Sequence, residues 1–402
     1  MAEPIDQIRL DQALQLLAGK LELKGAAPVN LVVCGGSALI QLGLRSRTTK
    51  DSEPCCRSYS PNLAMNRSLK EFRDEYQRLL LDFLWRQWSS VGIAGDTRPA
   101  DKWIVDLEAL LILSCTVARH DPRLFDEILD WMQTNGRLIN ILRLKRILKT
   151  EQFSGAPILA AIAGLLAKGA DAPKWRLLAG AEKPGTSDDG LFLKDDGTPL
   201  PVLGNPEPRF ARYGWRRGPL ELRGYSQEFR PMAEASLVLQ LRALFGINVR
   251  CEILLYLLTH DTAHPSQIAR EAYYFDRAVQ GTLVEMSRSG VIQIRATNRE
   301  KHYWMKREDW MNLLGRGKHP LPGWVTWPAF FSALERVWIR LNDPRLLQAD
   351  RLLQASELRQ LMVEVLPSFQ KSGLDRGLSD HRQHLGEGYL PLFMADMKRL
   401  LE

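Results

Sequence analysis

The sequence predicts a mainly α chain: a helical-bundle region, a later three-helix unit closed by a β-hairpin, and a short α/β fragment at the N-terminus. Three observations carry this. Apolar residues recur at helical spacing through most of residues 69–168 and again after 232. A strand, a glycine turn and a helix follow one another within the first 51 residues. Residues 250–307 read as three helices and two short strands, each bounded by its own turn residues.

Residues 7–24 place Ile8, Leu10, Ala13, Leu14, Leu16 and Leu17 toward one face of a helix. Residues 29–33 form an apolar run between Gly25 and Gly35, as a buried strand does, and Gly35-Gly36-Ser37 turns the chain into a helix over 38–44. Residues 52–64 follow neither period and hold Pro54 and Pro61. Helical periodicity resumes at Ser68, with helices expected over 69–88, 101–119, 121–134, 136–150 and 155–168. Asp121-Pro122 is a cap followed by a first-turn proline. Residues 171–231 are rich in Gly and Pro and read as a long loop or a small strand region. Helices return over 232–245 and, after residue 327, run to the C-terminus, with interruptions expected at Pro367 and over 373–388.

Within 250–307, Ile253, Leu254, Leu257 and Leu258 face inward on the first helix, and Pro265 opens the second, with Ile268 and Ala269 inward. Asp276 is the expected N-cap of the third helix, whose inward residues are Val279, Leu283 and Met286. Gly290 is placed to end it in a left-handed conformation. Strands at 291–295 and 301–305 flank a turn that includes Asn298.

This order, with Pro265-Ser266-Gln267-Ile268-Ala269, the run from Leu283 through Met286 to Gly290-Val291-Ile292 and the hairpin after it, resembles the winged helix-turn-helix regulators of the MarR and ArsR type. The resemblance covers about 60 residues and implies binding to double-stranded DNA. The charge fits that expectation. Residues 288–307 hold six Lys or Arg against Glu300 alone, whereas 250–287 carry five acids against three bases. Phosphate contact from a wing needs such a stripe. The expected DNA-contacting residues are Arg277, Gln280, Gly281 and Arg288 on the third helix, and Arg295, Asn298, Arg299 and Lys301 on the wing. Arg and Gln make bidentate contacts to base edges, and Gly281 allows close approach. The alternative use of such a unit is protein contact.

Gly35-Gly36-Ser37 with Arg45, Arg47 and Thr48-Thr49-Lys50-Asp51 resembles the opening of nucleotidyltransferase-fold proteins of the abortive-infection type. That resemblance implies triphosphate binding by Gly36 and Ser37 at a helix N-terminus and metal binding through Asp51. The family's paired carboxylates lie on a strand, but here Asp51-Ser52-Glu53 runs into Pro54 and SEPCCRSYSPN, which has no strand pattern. The motif is therefore incomplete. Residues 1–51 read as a truncated fragment, 52–64 as an irregular junction, and Met65 as a natural start, so that residues 65–402 should fold without the rest. By analogy, the fragment points to a toxin–antitoxin or defence locus.

The remaining divisions are a helical domain at 65–170, the Gly/Pro-rich 171–231, the helix-turn-helix domain at 232–315 and a helical region at 316–402. The chain has 402 residues, is 45% hydrophobic and 25% charged, and carries a net charge of +7. It suits a soluble multidomain protein and permits an anionic partner. Five cysteines without a CxxC favour a reducing compartment over a disulfide framework or a zinc ribbon. No basic and apolar blocks open the sequence as in a signal peptide, and the longest apolar stretch, 156–167, is too short for a bilayer. His260/His264 and His381/His384 have ligand-like spacing, but no metal or cofactor is expected. Basic residues on the helix at 136–150 and the Arg-aromatic stretch 209–225 read as a solvated face and as internal stacking. The expected protein is a cytoplasmic, homodimeric DNA-binding transcription regulator. Nucleotidyl transfer is the enzymatic alternative, with no catalytic residue assigned.

Overall fold

The computed structural model of the chain divides into two compact units, residues 1–61 and 62–402. It describes residues 68–93, 95, 103–168, 171–297, 300–317, 320–381, 383–384 and 386–402, all in the second unit. The described residues are mainly helical, with two small two-stranded sheets.

Helix α1 (Leu69–Ser90) starts at a capping box. The Ser68 hydroxyl accepts from the Glu71 N–H, and the Glu71 carboxylate accepts from the Ser68 N–H. Helix α2 (Leu107–Val117) starts six residues later than periodicity indicated. Asp106 accepts from the Ala109 N–H there and so fixes the helix start. Helix α3 (Pro122–Asn135) opens on the expected Asp121 cap with Pro122 in its first turn. The helix expected over 136–150 is broken. Gly136–Leu138 is a 3₁₀ turn, and Asn140 then caps α4 (Ile141–Glu151) by accepting from Arg143 N–H. Helices α5 (Ala156–Leu166) and α6 (Ala172–Ala179) follow.

The Gly/Pro-rich stretch is largely loop. It holds strand β1 (Asp189–Gly190), the short helix α7 (Pro208–Ala211) and strand β2 (Trp215–Arg216), with β1 and β2 parallel. Helix α8 (Leu237–Phe245) then leads into α9 (Val249–Thr259), α10 (Pro265–Glu271) and α11 (Asp276–Arg288). Strands β3 (Gln293–Thr297) and β4 (Glu300–Trp304) form an antiparallel hairpin. Ala263, between α9 and α10, adds a one-residue bridge to β4, a single rung in which it exchanges backbone hydrogen bonds of 3.0 and 2.9 Å with Tyr303. The chain closes with α12 (Arg307–Leu313), α13 (Trp327–Leu341), α14 (Pro344–Gln348), α15 (Arg351–Ser372) and α16 (Tyr389–Leu401).

Helices α2 and α13 are the centre. Ten of the eleven residues of α2 are buried, as an all-round apolar LEALLILSCTV segment requires. They pack on each other, and α1, α4 and α5 surround them, with α15 against α13 and α16 against α1. The buried apolar side chains form one continuous cluster from Leu69 to Leu401. Pro367 does not interrupt α15 but lies inside it. The carbonyl it deprives of a partner is that of Val363, and both residues are exposed, so water can take the vacant hydrogen bond.

One polar cluster sits in this apolar centre. Glu108 of α2 receives Arg242 of α8 through both oxygens, at 2.6 and 3.0 Å, and Arg143 of α4 at 2.7 Å. Arg242 also donates to Glu252 of α9 at 2.7 Å, and Arg143 to Asp106 at 2.8 Å. The cluster ties the unit formed by α9–α11 and the hairpin to the helices around α2.

Candidate nucleic-acid interface

Helix α11 holds the expected contact residues. Val279, Leu283 and Met286 are buried, and α11 packs on α9 and α10. Asp276 is the first helical residue, not the cap. Phe275 takes the cap position in extended conformation and offers no side-chain acceptor. The Asp276 carboxylate still favours the helix start through the dipole. The C-terminal end is as expected: Gly290 has φ +79°.

Arg277, Gln280, Gly281 and Arg288 fall at i, i+3, i+4 and i+11, within one arc of α11, and all four are exposed. A Cβ built on Gly281 meets nothing within 4 Å, so this face is open. The basic residues of the unit divide by their pairing. Arg250 is neutralised by Glu285 at 2.6 Å, and Arg307 by Asp261 at 2.8 Å. Arg277, Arg288, Arg295 and Lys301 have no acidic partner among the described residues. Glu285, an acid on α11, is thus engaged by Arg250.

The hairpin register separates the two described basic residues expected to contact DNA. Arg295 stands opposite His302 on one face, and Lys301 stands opposite Ala296 on the other. Both basic residues are exposed. Asn298 and Arg299 lie outside the described residues, as do Gly36, Ser37 and Asp51.

Sequence reading missed what holds the turn before α11. Four consecutive residues are each gripped by one residue of α4 or its cap. The Ala272 carbonyl accepts from Arg143 Nε at 2.9 Å. The Tyr273 hydroxyl donates to Glu151. The Tyr274 hydroxyl accepts from Asn140 Nδ2. The Arg146 guanidinium lies 4.1 Å over the Phe275 ring. Lys371 of α15 closes the Tyr273 site, 2.8 Å from Glu151 and 3.0 Å from the hydroxyl. Burial, then the charge of Glu151, pushes the Tyr273 hydroxyl far above its ordinary value, so it stays a donor. Tyr273 has φ +58°, a left-handed conformation that a side chain of this size adopts only when its surroundings impose it. The α4 partners are more than 120 residues away in sequence, and Lys371 is 98 away. Only the excess of basic residues on 136–150 hinted that α4 mattered.

The other candidates resolve into structure. His260 stacks on Tyr256 at 3.9 Å, His264 caps α10, and His381 meets Asp396 at 3.3 Å. Among the described residues no group of three or more His, Cys, Asp or Glu is placed to hold a metal ion. Arg217 pairs with Asp126 at 2.7 Å and lies over Phe192 and Phe210, as expected for internal stacking. Cys115 and Cys251 are buried thiols that burial holds protonated, Cys251 at about 11. No described helix is long and apolar enough to cross a membrane. No protein-family model, curated protein or solved structure matches this chain.

Proposed function

We propose that residues 249–304 form a winged helix-turn-helix that binds double-stranded DNA, as a transcription regulator does. Helix α11 enters the major groove and the β3–β4 hairpin reaches a flanking backbone. One observation carries this reading: Arg277, Gln280 and Arg288 share an exposed, unpaired face of α11 with the open Gly281, while Val279, Leu283 and Met286 bury the opposite face. Arg and Gln on such a face read base edges, and Arg295 and Lys301 supply phosphate contacts. The Ala263–Tyr303 rung supports it by anchoring the hairpin to the helices. A homodimer on a two-fold site goes with the reading.

The test is duplex binding across a salt series. Binding that weakens steeply with salt, and flattens in Arg295→Ala/Lys301→Ala by about one unit of slope per lost phosphate contact, is the expected result. Arg277→Ala/Gln280→Ala should cost about 1–3 kcal/mol per base contact on a preferred sequence and relax the preference there. A second reading, contact with a protein, is favoured by the exposure of Phe275 (71%) and Leu142 (73%) beside the turn. Absence of duplex binding at low salt would select it.

A further inference from the structure

We propose that helix α4 is a second DNA-backbone element, with Lys145 and Lys149 contacting phosphates beyond the N-terminal end of α11. This rests on the DNA-binding reading and extends the site outside the helix-turn-helix unit.

The buried face of α4 is Ile141, Arg143, Leu144, Ile147 and Glu151. The opposite stripe is Leu142, Lys145, Arg146 and Lys149, at i, i+3, i+4 and i+7, with Leu142 and Lys149 exposed and Lys145 and Arg146 half-buried. Three of its four positions are basic, and none has an acidic partner among the described residues. Charge that stays unneutralised on one stripe, where Arg250 and Arg307 are each paired with an acid, suits an anionic partner.

The stripe's position is fixed. Asn140, Arg143, Arg146 and Glu151 grip residues 272–275, the turn that delivers α11, so α4 cannot shift relative to the start of that helix. Arg146 joins the two: its guanidinium lies 4.1 Å over the ring of Phe275, one residue before α11, with one nitrogen buried, and it stands between Lys145 and Lys149 in the stripe. The hairpin leaves from the opposite end of α11, which at thirteen residues is about 20 Å long. The major groove is about 12 Å wide, so a helix seated in it brings protein at both of its ends up to the flanking backbones. The hairpin serves one end, and α4 serves the other. A polyanion with regularly spaced charges matches both basic groups at once; a single acidic side chain on a protein would satisfy only one of them.

The full chain is titrated with a random-sequence duplex of roughly three helical turns (~30 base pairs) from low to moderate salt. Wild type is compared with Lys145→Ala/Lys149→Ala, with Arg295→Ala/Lys301→Ala, and with Lys70→Ala/Arg359→Ala, which removes equal charge from α1 and α15. Lys145 and Lys149 make no side-chain hydrogen bond or ion pair among the described residues, so their variant should keep its thermal midpoint. The expected result is a salt slope lower by about two in the α4 variant and an unchanged slope in the Lys70/Arg359 variant. An α4 slope equal to wild type, while the hairpin variant flattens, overturns this inference, leaves the DNA-binding reading standing and assigns the stripe to an acidic protein. Wild type that binds no duplex overturns both.

Discussion

Glu108 and Arg242 meet at the centre of the unit as a bidentate pair, each almost wholly inaccessible to solvent. Either charge alone would be ruinous there. Burial by itself raises the Glu108 carboxyl, and Arg242 and Arg143 overcome it and hold the group at about 2. Because Arg242 also engages Glu252, the pair links α9 directly to α2. Arg242→Ala should therefore cost about 3–5 kcal/mol, most of it from the carboxylates left unpaired. The triple change Glu108→Leu/Arg242→Met/Glu252→Leu should recover a large part of that loss. Denaturant midpoints at constant slope check both, and a triple variant weaker than Arg242→Ala would refute the account.

The same cluster sets the response to acid. Glu108 titrates at about 2 in the fold against 4.5 ordinarily, so its contribution is present above about pH 4.5 and is lost as pH falls toward 2. His120 acts in a higher window. Burial, then the charge of Arg119, pushes its imidazole down to about 4 from 6.5. The unfolded chain binds that proton first, so stability declines as pH drops from about 6.5 to 4. His120 meets Trp338 edge-on at 5.2 Å, which favours an apolar replacement. His120→Leu should flatten the upper limb of a stability–pH curve and leave the lower limb intact.

The Tyr273 hydroxyl is the hub of the turn that presents α11, placed between Glu151 and Lys371. Tyr273→Phe keeps the ring under Lys371 but removes the donor to a buried carboxylate. It should destabilise by about 1–3 kcal/mol. Amide exchange should quicken at residues 276–279 more than in α2, because the loss is local to the turn. Uniform protection loss would instead mean that Tyr273 acts through the global core.

What could be read from the sequence was what local chemistry controls. Asp121-Pro122, Gly290 and the inward series Val279, Leu283 and Met286 gave α3 and α11 with boundaries within a residue or two. Where two local signals competed, periodicity misled. Asp106 and Asn140 each start a helix inside a continuous apolar pattern, because a side chain accepting from the N–H three residues on outweighs the propensity of the residues before it. Pro367 misled for the opposite reason, since an exposed carbonyl on one helix face tolerates the missing donor. The exposed face of α11 was legible because periodicity alone assigns it. The grip of Arg143 on Ala272 was not, because 129 residues separate them and nothing local marks Arg143 as an internal anchor.

Gly281 separates folding from binding. It lies in the middle of α11 with nothing within 4 Å of where a Cβ would stand, and its backbone is helical. A glycine there costs the free helix about 0.5–1 kcal/mol relative to alanine. Packing gives no reason for it, whereas close approach of a partner to α11 does. Gly281→Ala should raise the thermal midpoint with little change in duplex affinity, since one methyl adds little bulk. If α11 enters the groove as proposed, Gly281→Leu should fold at least as well as wild type and yet bind duplex at least tenfold more weakly, with the salt slope unchanged, because the leucine would block the proposed groove face of α11 and leave Arg295 and Lys301 free to meet phosphates. A Leu variant that binds as wild type would place the DNA on some other face of the unit and remove Arg277 and Gln280 from consideration as base-reading residues.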